Sequence, residues 1–190
     1  MRNFSIILAV DNENGIGKSG DLAWSIPEDM KYFKDTTTNT KDPKKQNAVI
    51  MGRKTWDSIP KKHRPFKNRK NFVLSRSYEN GSQNPDGAAQ YSDFDACLEA
   101  VSTMSDVEEI FVIWGSQLYN DSINHPNFSK AYVTRIYSKY HCDVFFHGLP
   151  LNFHLSSRSE MKQHDGIEFE YSVYKKKLTL IQKIKKFLKK

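Results

Sequence analysis

The stretch NAVIMGRKTW, residues 47–56, passes from a short apolar run directly into a glycine, two cations and a hydroxyl, Gly52-Arg53-Lys54-Thr55. That transition suits a buried parallel strand whose carboxyl end opens onto an anion, because ligands of open α/β sheets bind beyond those strand ends. Similar runs recur on both sides: SIILAV (5–10), NFVLS (71–75), EIFVI (109–113), KAYVTRI (130–136) and FEYSVYK (169–175), with helical patterns between most of them. IILAV and IFVI are apolar throughout, as central strands covered on both faces are. The alternation predicts an α/β fold with a central, mostly parallel sheet flanked by helices. No convincing helix separates the last two runs, so the C-terminal edge is expected to be antiparallel. NGSQNPDGAAQ (80–90) reads as a surface loop with NG and PDG turns.

A chain of 190 residues with 38% hydrophobic content is long enough for one core and too short for two ordinary domains. No apolar run approaches the roughly 20 residues of a membrane helix, and the N-terminus lacks the order of a signal peptide. A cytoplasmic protein is therefore expected. Cys97 and Cys142 lack C-x-x-C spacing, and the six histidines form no ligand pattern with them, so no metal site is expected. The net charge of +7 is concentrated: residues 175–190 hold eight lysines and no acid, leaving 21 basic against 22 acidic side chains elsewhere. The body, residues 1–176, is thus close to neutral and calls for no nucleic acid, and residues 177–190 form a basic tail. Leu180, Ile181, Ile184, Phe187 and Leu188 fall on one helical face of that tail.

Two further strand ends resemble that of NAVIM. NFVL leads into Ser75-Arg76-Ser77, and IFVI into Trp114-Gly115-Ser116 ahead of a helical segment, Gln117-Leu118-Tyr119. Two basic loops on neighbouring strands exceed what a pyrophosphate requires and point to an additional phosphate, hence NADP rather than NAD. Gly15-Ile16-Gly17-Lys18-Ser19-Gly20 matches the G-x-G-x-x-G fingerprint, but Asp11 to Asn14 precede it and no helical order follows. It reads instead as a long, mobile loop over a site, with Leu22 and Trp24 as apolar contacts. Ser25-Ile26-Pro27-Glu28 predicts a helix start with Ser25 as cap and Glu28 closing a capping box, the helix running from about Pro27 to Lys34. On it Ile26, Met30 and Phe33 share a stripe with Asp29. An inward-facing carboxylate needs a cationic or hydrogen-bonding partner, and a heterocycle edge with two parallel N–H donors suits it.

Taken together, several stretches resemble the dihydrofolate reductase family over nearly the whole body. They are Gly15-Ile16-Gly17 with Leu22-Ala23-Trp24, Pro27 to Phe33, Ile50 to Trp56 with Ser58-Ile59-Pro60, Arg64-Pro65, Asn68-Arg69, Leu74-Ser75-Arg76 and Val133-Thr134-Arg135. The resemblance implies NADPH-dependent reduction of 7,8-dihydrofolate to tetrahydrofolate by hydride transfer with protonation at N5. It implies that Asp29 binds the pterin and assists that protonation, with Leu22 and Trp24 completing the catalytic group. Ile7, Leu8, Ala9, Met30, Phe33, Ile59, Phe66 and Ile113 would line the folate pocket, Thr134 would support Asp29, and Arg69 would hold the glutamate carboxylate. Gly52, Arg53, Lys54, Thr55, Leu74, Ser75 and Arg76 would hold the adenosine side of NADPH. Gly115, Ser116, Gln117 and Leu118 would sit at its pyrophosphate, with Ala9, Ile16 and Tyr119 also contacting the cofactor. Antifolate binding and a monomeric body follow from the same likeness. The family carries a glycine pair joined by a cis peptide where this chain has Trp114-Gly115, and the bond is expected to stay cis with the indole turned aside. The tail suggests a linker toward thymidylate synthase, a surface-binding helix or an unstructured end. Two alternatives for the body are a related reductase of riboflavin biosynthesis and a folate or nucleotide binder without turnover.

Overall fold

The computed structural model describes residues 1–177. In chain order the elements are β1 (Phe4–Val10), β2 (Gly15–Gly17), α1 (Pro27–Thr38), β3 (Gln46–Gly52), α2 (Arg53–Ser58), β4 (Arg69–Leu74), β5 (Ser82–Gln83) and β6 (Ala89–Tyr91). They continue with α3 (Phe94–Thr103), β7 (Val107–Ile113), α4 (Ser116–Ser122), β8 (Phe128–Ile136), β9 (Val144–Phe145), β10 (Phe153–Arg158), β11 (Lys162–His164) and β12 (Ile167–Lys176). The main sheet has the order β10-β12-β8-β1-β7-β3-β4-β6-β5, with β11 on β12. The central strands β8, β1, β7, β3, β4 and β6 are parallel to one another, and β5 runs antiparallel to β6. β12 runs antiparallel to β8, so the expected antiparallel C-terminal edge is present.

Side chains alternate across a strand, and here the alternation divides the core in two. Ile6, Leu8, Val10, Ala48, Ile50 and Val112 face Cys97, Leu98 and Val101 of α3 and Tyr119 of α4. Ile7, Val49, Met51, Phe111 and Ile113 face Phe33 of α1 and Trp56 of α2. Burying each such large apolar side chain stabilises the fold by roughly 1.5–3 kcal/mol. The register sets Ile7 against Ile113 and Gly52 against Leu74, which brings the carboxyl ends of β3, β4 and β7 side by side. Asp93 caps α3 by accepting from the Ala96 N–H at 2.8 Å.

Four local expectations are corrected. The N-cap of α1 is Ile26, with no side-chain cap, since Pro27 occupies the first helical turn and leaves Ser25 one residue too early. The helix also runs four residues beyond Lys34, to Thr38, where the Thr37 hydroxyl donates back to Phe33 O at 2.7 Å. Residues 15–17 are not a free loop: β2 pairs antiparallel with β9, and the Ser19 N–H bonds Asp143 Oδ2 at 2.8 Å. The 80–90 segment contains β5 and the start of β6. From residue 178 onward the tail reading lies outside the described residues. Among the described residues no helix is long and apolar enough to cross a membrane.

Candidate active site

Asp29 lies in the first turn of α1 and is 9% exposed. Its Oδ1 accepts a hydrogen bond from Thr134 Oγ1 at 2.6 Å, and β8 holds Thr134 beside Ala9 of β1 and Tyr171 of β12. Burial raises the carboxyl above its ordinary value, and the Thr134 bond partly offsets that rise. No Lys, Arg or His side chain pairs with Asp29 among the described residues. Nearby, Trp24 is buried and its indole Nε1 has no hydrogen-bond partner among the described residues. A cavity of about 610 Å³ is lined by residues 21–27, Asp29 and Met30, which joins Leu22, Trp24 and the carboxylate in one space. Met30 and Leu22 are each about two-fifths exposed, in keeping with residues on a rim. A buried acid and a buried unpaired donor at one cavity are both polar groups in need of partners.

Deeper along α1 lies an aromatic slot. Phe33 and Phe66 meet edge to face at 5.8 Å, and the Arg69 guanidinium sits 4.6 Å above the Phe66 ring and 5.8 Å from that of Phe33. Arg69 Nη1 donates to Thr37 Oγ1 at 2.9 Å. Burial lowers its pKa to about 10, and no carboxylate pairs with it among the described residues. The Phe66 loop is pinned by Asn71, whose Oδ1 accepts from the Phe66 N–H at 2.9 Å while its Nδ2 donates to Phe66 O and Arg69 O. Ile59 and Ile113 belong to the same apolar cluster.

At the adjoining strand ends Arg53, Lys54 and Arg76 are exposed and enter no ion pair among the described residues. Gly52 and Gly115 are the N-caps of α2 and α4, and neither helix has a side-chain cap. Space is open in front of Gly52, where a Cβ would meet nothing within 4 Å. Thr55 Oγ1 donates to Trp114 O at 3.2 Å, and Ser75 and Ser77 share a hydrogen bond at 3.0 Å.

The expected site residues therefore fall into three groups: Leu22, Trp24, Asp29 and Met30 around one cavity, Phe33, Phe66 and Arg69 in the aromatic slot, and Arg53, Lys54 and Arg76 at the strand ends. Two do not point where expected. Leu8 packs on the opposite sheet face, toward α3, because strand alternation separates it from Ile7 and Ala9. Tyr119 is 1% exposed; its hydroxyl donates to Ile7 O at 2.6 Å and accepts from the Trp114 N–H at 2.5 Å, so it braces β1 against β7. The cis expectation at Trp114-Gly115 is also overturned. Arg64-Pro65 is the only cis bond among the described residues, and Trp114 instead adopts φ 42° with its indole turned into the slot. Sequence reasoning missed Thr37 and Asn71. Thr37 was detectable, since it continues the stripe of Phe33 by four residues, whereas a polar Asn71 within a strand gave no signal.

The family profile described as dihydrofolate reductase matches residues 3–176. A dihydrofolate reductase of Drosophila melanogaster is 37% identical over 181 residues, covering 93% of this chain and 99% of that protein. One from Rattus norvegicus is 38% identical over 186 residues, again covering 93% and 99%. A bifunctional dihydrofolate reductase-thymidylate synthase 2 of Arabidopsis thaliana is 40% identical over 145 residues, covering 75% of this chain and 26% of that protein.

Proposed function

Since the chain belongs to the dihydrofolate reductase family, we propose how its own residues carry out that family's reaction. The chain is an NADPH-dependent enzyme that reduces dihydrofolate to tetrahydrofolate. Asp29 supplies the anchoring charge: it receives the two parallel N–H donors of the pterin at its 2-amino group and N3, with Thr134 Oγ1 fixing the carboxylate's orientation. The Trp24 Nε1–H, without a partner among the described residues, would hold a water that carries a proton to N5. Leu22 covers this end and keeps solvent from the reacting atoms. Ile7, Ala9, Met30, Phe33, Ile59, Phe66 and Ile113 enclose the ring and its aromatic extension, and Arg69 binds the terminal carboxylate.

The donor set at the strand ends fits a phosphorylated dinucleotide. Three exposed cations without carboxylate partners among the described residues lie beyond neighbouring parallel strands, with open space before Gly52. Arg53, Lys54, Thr55, Ser75 and Arg76, together with Gly52 and Leu74, would hold the adenosine side and its 2′-phosphate. Gly115, Ser116, Gln117 and Leu118 would face the pyrophosphate, Ile16 and Ala9 would flank the nicotinamide end, and Tyr119 would brace the backbone there. When bound, NADPH supplies the hydride. The protein contributes placement, exclusion of water and one proton-handling carboxylate. The enzyme acts as a cytoplasmic monomer, binds antifolates that present the same paired donors, and needs neither nucleic acid nor the basic tail for turnover.

The observation that carries this reading is Asp29, buried, bonded to Thr134 and without a cationic partner among the described residues. Its test is Asp29→Asn. Loss of an acid–base group lowers turnover roughly 10²–10⁴-fold, while NADPH affinity stays within about twofold because the cofactor-binding residues lie at other strand ends. A variant with near-normal turnover at neutral pH would remove Asp29 from the mechanism.

A further inference from the structure

Trp114 stands at the carboxyl end of β7 with its backbone tied on both sides, the N–H to Tyr119 Oη at 2.5 Å and the carbonyl to Thr55 Oγ1 at 3.2 Å. Its φ of 42° lies in the left-handed region, which disfavours a residue bearing a large side chain. That backbone directs the indole inward. It stacks on Phe33 at 4.9 Å with planes 23° apart and meets Phe66 edge to face at 5.6 Å. The three rings thus touch one another beneath the Arg69 guanidinium. The cavity that reaches Asp29 and Met30 has none of Phe33, Phe66 or Trp114 in its lining.

We propose that Trp114 is a specificity-determining gate whose indole is an internal occupant of the slot that the aromatic arm of the substrate enters, so that dihydrofolate binds by displacing it. This rests on the assignment of Phe33, Phe66 and Arg69 to the substrate. The geometry supports a competitor rather than a wall, because the indole already makes the contacts an entering ring would make: one face on Phe33 and an edge on Phe66. An apparent affinity is reduced by the fraction of molecules with the slot open. Two aromatic pairs hold the closed form by a factor of roughly five to a hundred. Ligands differ in what they must displace. A compound filling only the Asp29 end leaves the indole in place, whereas one with an aromatic arm must expel it. The gate therefore narrows the affinity difference between long and short ligands.

The experiment compares the full-length wild type with Trp114→Ala, which keeps a Cβ and hence the backbone demand that glycine would relax. Each is titrated with dihydrofolate and with 2,4-diaminopyrimidine, a fragment that reaches the carboxylate alone. The proposal expects the alanine variant to bind dihydrofolate about 5- to 100-fold more tightly and the fragment within about twofold of wild type, while unfolding cooperatively at a melting temperature a few degrees below wild type as the two ring contacts are lost. In 5-fluorotryptophan-labelled wild type, the ¹⁹F resonance missing from the variant should move to a solvent-exposed position on adding dihydrofolate. Weaker dihydrofolate binding by a folded variant would make the indole a ligand contact and overturn the gate. So would equal tightening of both ligands, or a resonance that does not move. Asp29→Asn in the same titration separates the two levels: if it binds both ligands like wild type, the site assignment is wrong and the gate falls with it.

Discussion

Arg69 is held in an unfavourable place for a cation, and the consequence is measurable in the protein without ligand. Burial lowers its pKa well below the ordinary guanidinium value, to about 10. The sign follows from linkage: the penalty on the charged form is fully present below the folded value and is relieved only as pH rises through about 10. At neutral pH that depression corresponds to at most about 3 kcal/mol, and with the side chain only half-buried, solvent screening reduces it to about 1–2 kcal/mol. The hydrogen bond to Thr37 and the cation–π contact with Phe66 return about 1–2 kcal/mol. Replacing the charge with an apolar chain of similar length, Arg69→Met, should therefore leave unfolding free energy within about 1 kcal/mol of wild type, although every polar contact is lost. Dihydrofolate affinity should fall by about 2–5 kcal/mol, the usual consequence of truncating one partner of a hydrogen-bonded charge pair. Urea denaturation gives the first quantity and equilibrium titration the second. A dihydropterin lacking the benzoylglutamate arm should bind both proteins alike. If Arg69→Met loses about 3 kcal/mol of stability or more while dihydrofolate still binds normally, the guanidinium is a structural cation and the grip on the substrate is misassigned.

Asp29→Asn should stabilise the ligand-free protein at neutral pH. Burial raises the carboxyl's folded pKa, so its penalty is absent below the ordinary 3.8 and grows as pH rises through the folded value; melting temperatures should converge in acid and diverge toward neutrality, and a variant less stable at pH 7 contradicts this. Wild-type turnover should decline as pH rises, since N5 must be protonated, and a flat profile from pH 6 to pH 9 at limiting chemistry counts against proton delivery through this carboxyl. Arg53→Ala and Arg76→Ala should each weaken NADPH about tenfold and leave NADH within about twofold, whereas equal losses would remove the 2′-phosphate assignment. Truncation after Lys177, whose N–H bonds Asn152 O at 2.7 Å, should leave kcat/KM within about twofold; an inactive or insoluble product would place the tail on the body.

The parallel centre of the fold was legible because its strands are apolar on both faces: IILAV, NAVIM and IFVI can be covered only by helices on both sides. The outer strands were not. β10 shows only its first residue partly buried and β11 is mostly exposed, so neither carries an apolar period, and β2, β5 and β9 are too short to display one. Asp29 was legible because a charge on an apolar stripe is costly without a reason. Arg69 was placed through family likeness and the strand-end cations by their position directly after buried runs, whereas the lack of ion-pair partners for them among the described residues became visible only in three dimensions. Trp114 shows the limit of likeness: a glycine pair can turn in a way an indole cannot, and the side chain's entry into the slot depends on Phe33, 81 residues earlier in the chain. Leu8 failed for a simpler reason, since three consecutive strand residues cannot all face one pocket.

The central claim is tested most directly by following reduced-nicotinamide absorbance with purified wild-type protein. NADPH should be consumed only when dihydrofolate is present, one equivalent per equivalent reduced, with tetrahydrofolate as the product, and Asp29→Asn should abolish most of the signal. Tight binding of both ligands with no loss of absorbance would contradict the account and leave the chain a folate and nucleotide binder.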